Sequence, residues 1–323
     1  MTITFNAYVR ENISDPKTTL ETGLTSPSYS VSGLTKGKKY LFSIGALKNG
    51  IEKVSDEKSI LFGKAWTPQN LTNAPKIWLD AANYIKDSSN RISQLTANTF
   101  NTNTNQSNNS YKPIHQNNKA IFDGLDDFMS VENAENIFKN IGGGFIFAVV
   151  SKNQIDAIFK NRTIFSISNN SNGVRASIAF SGGDVANRIT LGARRVDNES
   201  FGFVQAVDEI TANMNYIIFG EINYAARTLK LHINGTLTAS STSAFTSSGS
   251  SSDTQSARVR LAANSADDGF IQHADIALTA LCCSDVLLSN LDRQKLEGWA
   301  AHKYGLTENL PDEHPYKTLI PTI

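Results

Sequence analysis

The sequence predicts an all-β protein, in which a small β-sandwich precedes a larger two-sheet jelly-roll sandwich that a C-terminal helix closes. Two observations carry this prediction. Apolar and polar residues alternate with a period of two in residues 1–64, and from residue 119 onward short alternating segments follow one another with turn residues between them. Only residues 289–304 have helical spacing, so the strands must bury their apolar faces against other strands.

The composition is that of a globular protein with no charge bias. Of 323 residues, 40% are hydrophobic and 19% are charged, and 30 basic side chains balance 30 acidic ones. A net charge of zero lacks the positive field that nucleic-acid binding requires. We therefore expect no nucleic-acid partner.

The start of the chain, its apolar runs and its cysteines indicate in which compartment the protein folds. The start "MTITFNAYVREN" has no basic and apolar pattern of a signal peptide, and no run approaches the roughly 20 apolar residues of a membrane-spanning helix. Cys282 and Cys283 are adjacent, which makes a bond between them sterically unfavourable. We expect no signal peptide, no membrane insertion and two reduced cysteines in a strand.

Residues 1–66 are predicted to form the small sandwich. In "KYLFSIGALKNG" the residues at alternate positions from Tyr40 line one face of a strand. The stretch "YSVSGLTKGKKYLFSIGALKNG" resembles the fibronectin type III module, in which Leu34 ends one strand and Tyr40 forms a tyrosine corner. The segment lacks the early core Trp of that family and about two strands, so we expect an incomplete module whose exposed sheet edge is covered by the second domain or a neighbouring chain.

Residues 67–323 are predicted to form the jelly roll, after a linker bracketed by Pro68 and Pro75. Asn234-Gly235 is a strong hairpin signal, and the preceding strand places Leu229 and Leu231 inward. The ordered motifs are "PKIWLDAANYI", "NNKAIFDGLDDFMSV", "GGGFIFAVVS", "LKLHINGT", "ARVRLAANSADDGFIQHADIALTAL" and the closing "LSNLDRQKLEGWAAHKYGLTENLPDEHPYK". This set resembles the laminin-G/concanavalin A-like domain of bacterial and phage surface proteins. The resemblance implies carbohydrate or protein-ligand binding and, in some members, calcium at the rim of the sandwich.

The closing helix is predicted over residues 289–304. Ser289 is a suitable N-cap, Gly305 suits a left-handed C-cap, and Leu306 would pack back onto the helix. We expect His302 to interact with the helix dipole and His314 to pack within an extended tail. The predicted apolar stripe that contacts the sandwich consists of Leu291, Leu296, Trp299 and Ala300.

The loop "AANSADDGF" is the first candidate ligand site. Asn264, Asp267 and Asp268 offer amide and carboxylate oxygens that suit a sugar hydroxyl, and Asp267 with Asp268 is the candidate calcium pair. A solvated loop without a ligand is the alternative. Calcium is the one cofactor under consideration.

Two further clusters of charged residues can be interpreted either as ligand sites or as purely structural features. Arg194 and Arg195 suit the carboxylate of an acidic sugar, whereas ion pairing with the acidic residues that follow them explains them equally. In "FDGLDDF", Asp123, Asp126 and Asp127 suit either calcium or a tight turn between two strands.

Catalytic motifs are absent from the sequence. It contains no nucleophile elbow, zinc-protease helix, P-loop or dinucleotide fingerprint, and a glycosidase carboxylate pair cannot be singled out among 30 acidic residues. We therefore expect a protein that is not an enzyme.

Surface-type modules without an export signal or a disulfide fit a phage virion protein, which folds in the reducing cytoplasm of its host. We expect a tail-associated or capsid-decorating protein whose N-terminal module docks on other virion proteins and whose jelly roll binds host-surface carbohydrate. A homo-oligomer follows from virion symmetry. The alternatives are a bacterial adhesin or carbohydrate-binding module exported by a dedicated system, and an accessory module of a polysaccharide-degrading enzyme.

Overall fold

The computed structural model describes residues 3–98, 102–157, 160–168, 174–180, 187–252, 258–264 and 272–323. All strand pairs among these residues are antiparallel, and they form three sheets. The first strands are β1 (Thr4–Arg10), β2 (Thr18–Leu24), β3 (Lys39–Lys48), β4 (Ile51–Val54), β5 (Lys58–Leu61), β6 (Ile77–Lys86), β7 (Ile92–Ala97), β8 (Thr104–Asn105), β9 (Ile114–Gln116), β10 (Lys119–Asp123) and β11 (Met129–Val131). The others are β12 (Gly143–Lys152), β13 (Arg162–Ser168), β14 (Val174–Phe180), β15 (Ile189–Ala193), β16 (Gly202–Gln205), β17 (Asn215–Asn223), β18 (Thr228–Ile233), β19 (Thr236–Ser241), β20 (Arg258–Leu261) and β21 (Asp275–Ser284), followed by helix α1 (Asn290–Tyr304).

The N-terminal strands form a single five-stranded sheet. Its order is β2-β1-β3-β4. Strand β4 pairs with the second half of β3, and β5 pairs with the first half of β3 along the same edge. The tyrosine corner is present, because the hydroxyl of Tyr40 accepts a hydrogen bond from the backbone N–H of Thr35 at 2.9 Å. The N-terminal module therefore consists of a single sheet, and the second sheet of the predicted sandwich is not present among the described residues.

One face of this N-terminal sheet remains open. Residues 27–34 lie beside it without forming a strand, so the strand predicted to end at Leu34 is absent, and none of the backbone groups of this segment forms a hydrogen bond within the described part of the chain. The segment and the sheet enclose an apolar groove of about 430 Å³, lined in part by Tyr29, Val31 and Phe42. No residue of the jelly roll lines this groove.

The remaining strands form the two layers of the jelly roll. The nine-stranded sheet has the order β19-β18-β17-β12-β21-β10-β9, with β6 on β21 and β7 on β6. The seven-stranded sheet has the order β16-β15-β14-β13-β20-β11-β8. The main core lies between them and includes Phe122, Phe165 and Phe180, each with 0% exposure.

Helix α1 covers the outer face of the nine-stranded sheet. Trp299 meets Trp78 of β6 edge to face, with ring centroids 5.8 Å apart. Buried Asp80 of β6 accepts hydrogen bonds from Tyr304 at 3.1 Å and from Lys303. The motif "WLDA" therefore supplies both an apolar and a polar contact for the helix.

Most of the predicted helix features are confirmed. The Ser289 hydroxyl accepts from the N–H of Asp292 at 3.1 Å, and Gly305 adopts φ 70° at the C-cap. Of the predicted apolar stripe, Leu296, Trp299 and Ala300 are buried. The prediction for Leu291 is wrong: its side chain is 54% exposed, because it lies in the first turn, where the helix has not yet reached the sheet.

The two C-terminal histidines are both structural. His314 is buried against Glu297, with 3.3 Å between Nε2 and Oε2, as tail packing requires. His302 lies 3.0 Å from the Tyr316 carbonyl, and burial lowers its pKa. A lowered pKa disfavours the imidazolium form, so contact with the tail, rather than a charge on the helix dipole, explains His302.

The C-terminal tail links the two parts of the chain. The N–H of Ile320 donates to the Gly37 carbonyl at 2.9 Å, and the N–H of Trp66 donates to the Pro321 carbonyl at 2.9 Å. Neither Gly37 nor Trp66 lines the open groove.

Two smaller predictions are also confirmed. Cys282 and Cys283 are free, buried residues of β21, and burial raises the pKa of the Cys282 thiol. Asn234 and Gly235, with φ values of 52° and 82°, form the two-residue turn between β18 and β19. Among the described residues, no helix is long and apolar enough to cross a membrane.

Candidate functional site

A polar cleft of about 660 Å³ lies on the outer face of the nine-stranded sheet, beyond the part that helix α1 covers. Ile121, Ala277 and Ser151 are cross-strand neighbours on β10, β21 and β12, and they form its floor. Side chains alternate along β12, so Ser151 faces the same side as Val149, which packs under the helix. The cleft is therefore an uncovered continuation of the surface on which the helix packs.

Amide side chains form most of the walls. The described residues that supply them are Gln116, Asn117, Asn153, Gln154 and Asn213. They come from the β9–β10 turn, the end of β12 and the residues before β17, which this sheet end brings together. A side-chain amide has two N–H donors and an acceptor oxygen, so it can either donate a hydrogen bond to a hydroxyl group or accept one from it.

Most of these amides are available to a ligand. The side chains of Gln116, Asn117, Gln154 and Asn213 make no hydrogen bond to the described part of the protein. The exception is Asn153, whose amide donates to Asp275 Oδ1 at 2.6 Å. This pair holds one wall in place and leaves the other amides free.

A buried ion network supports the wall that follows β12. Lys152, with 1% exposure, donates to the Gln154 carbonyl and to Asp156 Oδ2, both at 2.6 Å. Arg162 donates to the other oxygen of Asp156 at 3.0 Å. Burial alone would raise the pKa of Asp156, but hydrogen bonds from Arg162 and Lys152 lower it below its ordinary value. The carboxylate is thus charged and fixes the backbone that presents Gln154.

The cleft borders the acidic turn between β10 and β11. Asp123 lines the cleft, and one carboxylate oxygen each from Asp123, Asp126 and Asp127 lie within 4.8 Å of one another. Asp123 Oδ1 accepts from the N–H of Leu125 at 2.8 Å, and Asp127 Oδ2 accepts from the N–H of Asp123 at 3.1 Å. The tight-turn interpretation is therefore correct, and it does not exclude a cation.

Asp127 is the most perturbed carboxyl of this turn. It is 3% exposed, and its Oδ1 has no hydrogen-bond partner among the described residues. Burial, followed by the charge of Asp123, raises the pKa of Asp127 to about 7.

The structure describes only the first residues of the loop that contains Asn264. Asp267 and Asp268 lie outside the described residues. Asn264 is 9% exposed, and its carbonyl accepts from Arg260 at 3.2 Å. Its predicted role in ligand binding, like the calcium site at the two aspartates, stays a prediction.

The two predicted arginines lie at the far end of the seven-stranded sheet. Arg195 donates to Ser247 Oγ at 2.6 Å and to the Ser250 carbonyl at 3.1 Å, which fastens a loop. Arg194 Nε and Nη1 are buried and have no partner among the described residues.

The register separates the arginines from Asn264. The end of β15 that precedes Arg194 pairs with the start of β14, whereas the end of β20 that precedes Asn264 lies toward the start of β13. The predicted ligand residues therefore do not converge on one site. None of the cleft amides was predicted, because single Asn and Gln residues in turns carry no spacing that distinguishes them in a chain rich in Asn.

Comparisons with known proteins give only remote structural likenesses. No protein-family model and no curated protein matches the chain. A botulinum neurotoxin type C structure, described for its interaction with two ganglioside molecules, is 14% identical with a TM-score of 0.47, covering 69% of this chain and 50% of that chain. Trypanosoma rangeli sialidase in complex with sialic acid is 10% identical with a TM-score of 0.46, covering 82% and 43%. The CBM40 of Ruminococcus gnavus IT-sialidase, bound to α2,3-sialyllactose, is 14% identical with a TM-score of 0.39, covering 47% and 80%.

This chain thus spans about half the length of the neurotoxin chain that it resembles. The all-β sandwich architecture is established by the strand pairing described above.

Proposed function

We propose that this protein is a non-enzymatic carbohydrate-binding protein and that its ligand is an oligosaccharide held in the amide-lined cleft. The observation that carries the proposal is the set of four amide side chains around one opening that form no hydrogen bond with the described residues. Sugars present many hydroxyl groups that both donate and accept, and amides match this pattern without selecting a charge. The volume of about 660 Å³ lies within the range of small-molecule sites.

The wall chemistry also defines the class of sugar. Asp123 and Asp275 border the cleft, while Lys119 is engaged by Asn215 Oδ1 at 2.8 Å. With two carboxylates and one occupied ammonium group, the cleft disfavours anionic sugars such as sialic acid. A neutral oligosaccharide is the ligand that fits this balance.

The location of the protein belongs to the same proposal. We infer that it is a virion component, tail-associated or capsid-decorating, with the jelly roll exposed to host-surface carbohydrate and the N-terminal module docked on other virion proteins. The uncovered groove of the N-terminal sheet supports this, since an apolar face of that kind is normally buried in an assembly. A homo-oligomer is part of the proposal, and the ligand claim does not depend on it.

The experiment is binding of the full chain to an array of neutral and acidic bacterial surface oligosaccharides. We expect neutral glycans to bind, and the double variant Gln116→Ala/Gln154→Ala to bind at least about tenfold more weakly, because two hydrogen bonds of about 1 kcal/mol each are lost. The matched control is Gln294→Ala, which removes an amide on helix α1 outside the cleft.

Two results would contradict the proposal. If no neutral glycan and no host cell is bound, the cleft is not a carbohydrate site. If the bound oligosaccharide is cleaved during incubation, as mass spectrometry of the eluate would show, the protein is an enzyme.

A further inference from the structure

The acidic turn between β10 and β11 has the dimensions of a cation site. One oxygen from each of Asp123, Asp126 and Asp127 lies within 4.8 Å of the others. Calcium binds oxygen at 2.3–2.6 Å, so one ion bridges ligands that are up to roughly 5 Å apart, whereas magnesium bridges only about 4 Å. The spacing therefore accommodates calcium in its usual range of geometry.

A second observation is independent of the clustering. The backbone hydrogen bonds of the turn use Asp123 Oδ1 and Asp127 Oδ2, but Asp127 Oδ1 remains buried without a partner in the described structure. Asp127 itself is buried, with 3% exposure. A buried carboxylate oxygen without a partner costs free energy, and a bound cation removes that cost.

The positive groups around the turn do not neutralise it by contact. Arg162 donates to the carbonyls of Gly124 and His273, both at 2.9 Å, and its remaining donors engage Asp156. Arg91 acts on Asp127 only through its charge, while its Nη1 donates to the Lys112 carbonyl at 2.8 Å. The carboxylates of the turn therefore lack a hydrogen-bonded cationic partner among the described residues.

The remaining charged neighbours lead to the same result. His273 Nδ1 lies 3.1 Å from the backbone oxygen of Asp127, not from its carboxylate. The guanidinium group of Arg260 stacks on Phe128 at 4.8 Å from the ring centroid. Neither residue supplies a counter-ion for the buried oxygen.

The turn is also held rigidly in place. Gly124 has φ 73°, and a Cβ atom at this position would lie 2.7 Å from the Asp275 side chain and 2.8 Å from its backbone N. The turn thus packs directly against the first residue of β21, so its carboxylates do not need to reorganise before an ion binds.

We propose that Asp123, Asp126 and Asp127 bind one calcium ion within the β10–β11 turn, at the border of the cleft. This site differs from the predicted pair at residues 267 and 268, and it does not depend on glycan binding. The carboxylate oxygens that the turn does not use coordinate the ion, and the hydrogen bonds of the turn stay unchanged.

The test uses the full chain after treatment with a chelator and dialysis. Calcium titration by calorimetry, together with thermal unfolding at 1 mM calcium, is compared for wild type, Asp126→Asn and Asp208→Asn. Asp126 is the suitable ligand to change, because its carboxylate accepts no hydrogen bond in the turn. Asp208 is an exposed acidic control outside the turn.

We expect calcium to raise the Tm of wild type and Asp208→Asn by about 3 °C or more, and Asp126→Asn to bind at least about tenfold more weakly. In chelator, Asp126→Asn should be at least as stable as wild type, because a repulsive charge is removed. A wild-type Tm that does not respond to calcium would overturn the proposal. So would a full calcium response in Asp126→Asn, which would place the ion elsewhere, or an equal response to magnesium.

Discussion

The N-terminal sheet and the nine-stranded sheet are built from the same antiparallel, alternating strands, but they differ in how many layers cover them. In the nine-stranded sheet, Phe145 and Phe147 have 0% and 0% exposure beneath helix α1. At the open groove of the N-terminal sheet, Ile60 of β5 is 46% exposed, and Tyr29 of the segment beside the sheet is 41% exposed. The comparison teaches that alternation specifies a strand, whereas a second layer decides whether its apolar face becomes core or an interaction surface.

The same difference separates structural from functional surface within the jelly roll. One outer face carries both the helix contact and the cleft, and the boundary between them is where helix α1 and the segment after it end. Side chains change there from aromatic to amide. Four substitutions or conditions test how far this contrast extends.

The largest effect is expected for Trp299→Ala. The ring is 8% exposed and packs on Trp78, so its removal should lower the free energy of unfolding by about 3 to 5 kcal/mol. Leu291→Ala is the matched control on the same helix, since Leu291 is exposed. Denaturant unfolding measures both, and equal losses would show that the helix does not act as a covering layer.

The pH dependence of stability should also arise in the jelly roll, which contains all five histidines. Burial, then the charge of Arg293, lowers the pKa of His232 to about 4. The unfolded chain binds this proton near pH 6.5 and the folded chain only near pH 4, so stability is present above pH 6.5 and is lost as the pH falls toward 4.

The expected loss from His232 is at most about 3 kcal/mol. It is measured by denaturant unfolding of wild type and His232→Gln between pH 7 and pH 4. The difference in stability between the two should shrink or reverse at the acidic end. A difference that stays constant over this range would contradict the burial of His232 beneath the helix.

A smaller effect is expected for Glu297→Gln. Glu297 is 0% exposed and accepts from Arg293 at 2.8 and 2.7 Å, so the change should cost about 2 kcal/mol. Glu11→Gln, which removes the exposed partner of Lys38 on the N-terminal sheet, should leave unfolding unchanged. A similar loss in both variants would mean that burial does not distinguish the two regions.

The smallest effect is expected for Ile60→Thr at the open groove. With the side chain 46% exposed, the free energy of unfolding should change by less than about 0.5 kcal/mol. Binding of a hydrophobic dye to the N-terminal sheet should decrease at the same time. A large loss of stability would show that the groove is part of a core.

The sequence was sufficient for the features that local chemistry determines. The caps at Ser289 and Gly305, the turn at Asn234 and the tyrosine corner at Tyr40 each depend on a few neighbouring residues, and each is present. Leu291 was misplaced because helical periodicity does not reveal where a helix first meets a sheet.

The cleft could not be predicted in the same way. Gln116, Gln154 and Asn213 are separated in sequence and meet only because the ends of β9, β12 and β17 lie near one another in the folded sheet. Arg194 and Arg195 were chosen for their chemistry, and the register places them away from Asn264. Residue type predicts what a side chain can bind, but the pairing of strands decides which side chains act together.

The most direct test of the carbohydrate claim is NMR spectroscopy of the full chain labelled with ¹⁵N only at Asn and Gln, during titration with a neutral oligosaccharide that binds on the array. The side-chain amide signals of Gln116, Asn117, Gln154 and Asn213 are expected to shift together and to saturate at one ligand per chain. Assignment comes from single substitutions. If these four signals stay unchanged while that of Asn264 shifts, the ligand binds at the loop after β20 and the cleft is not the site.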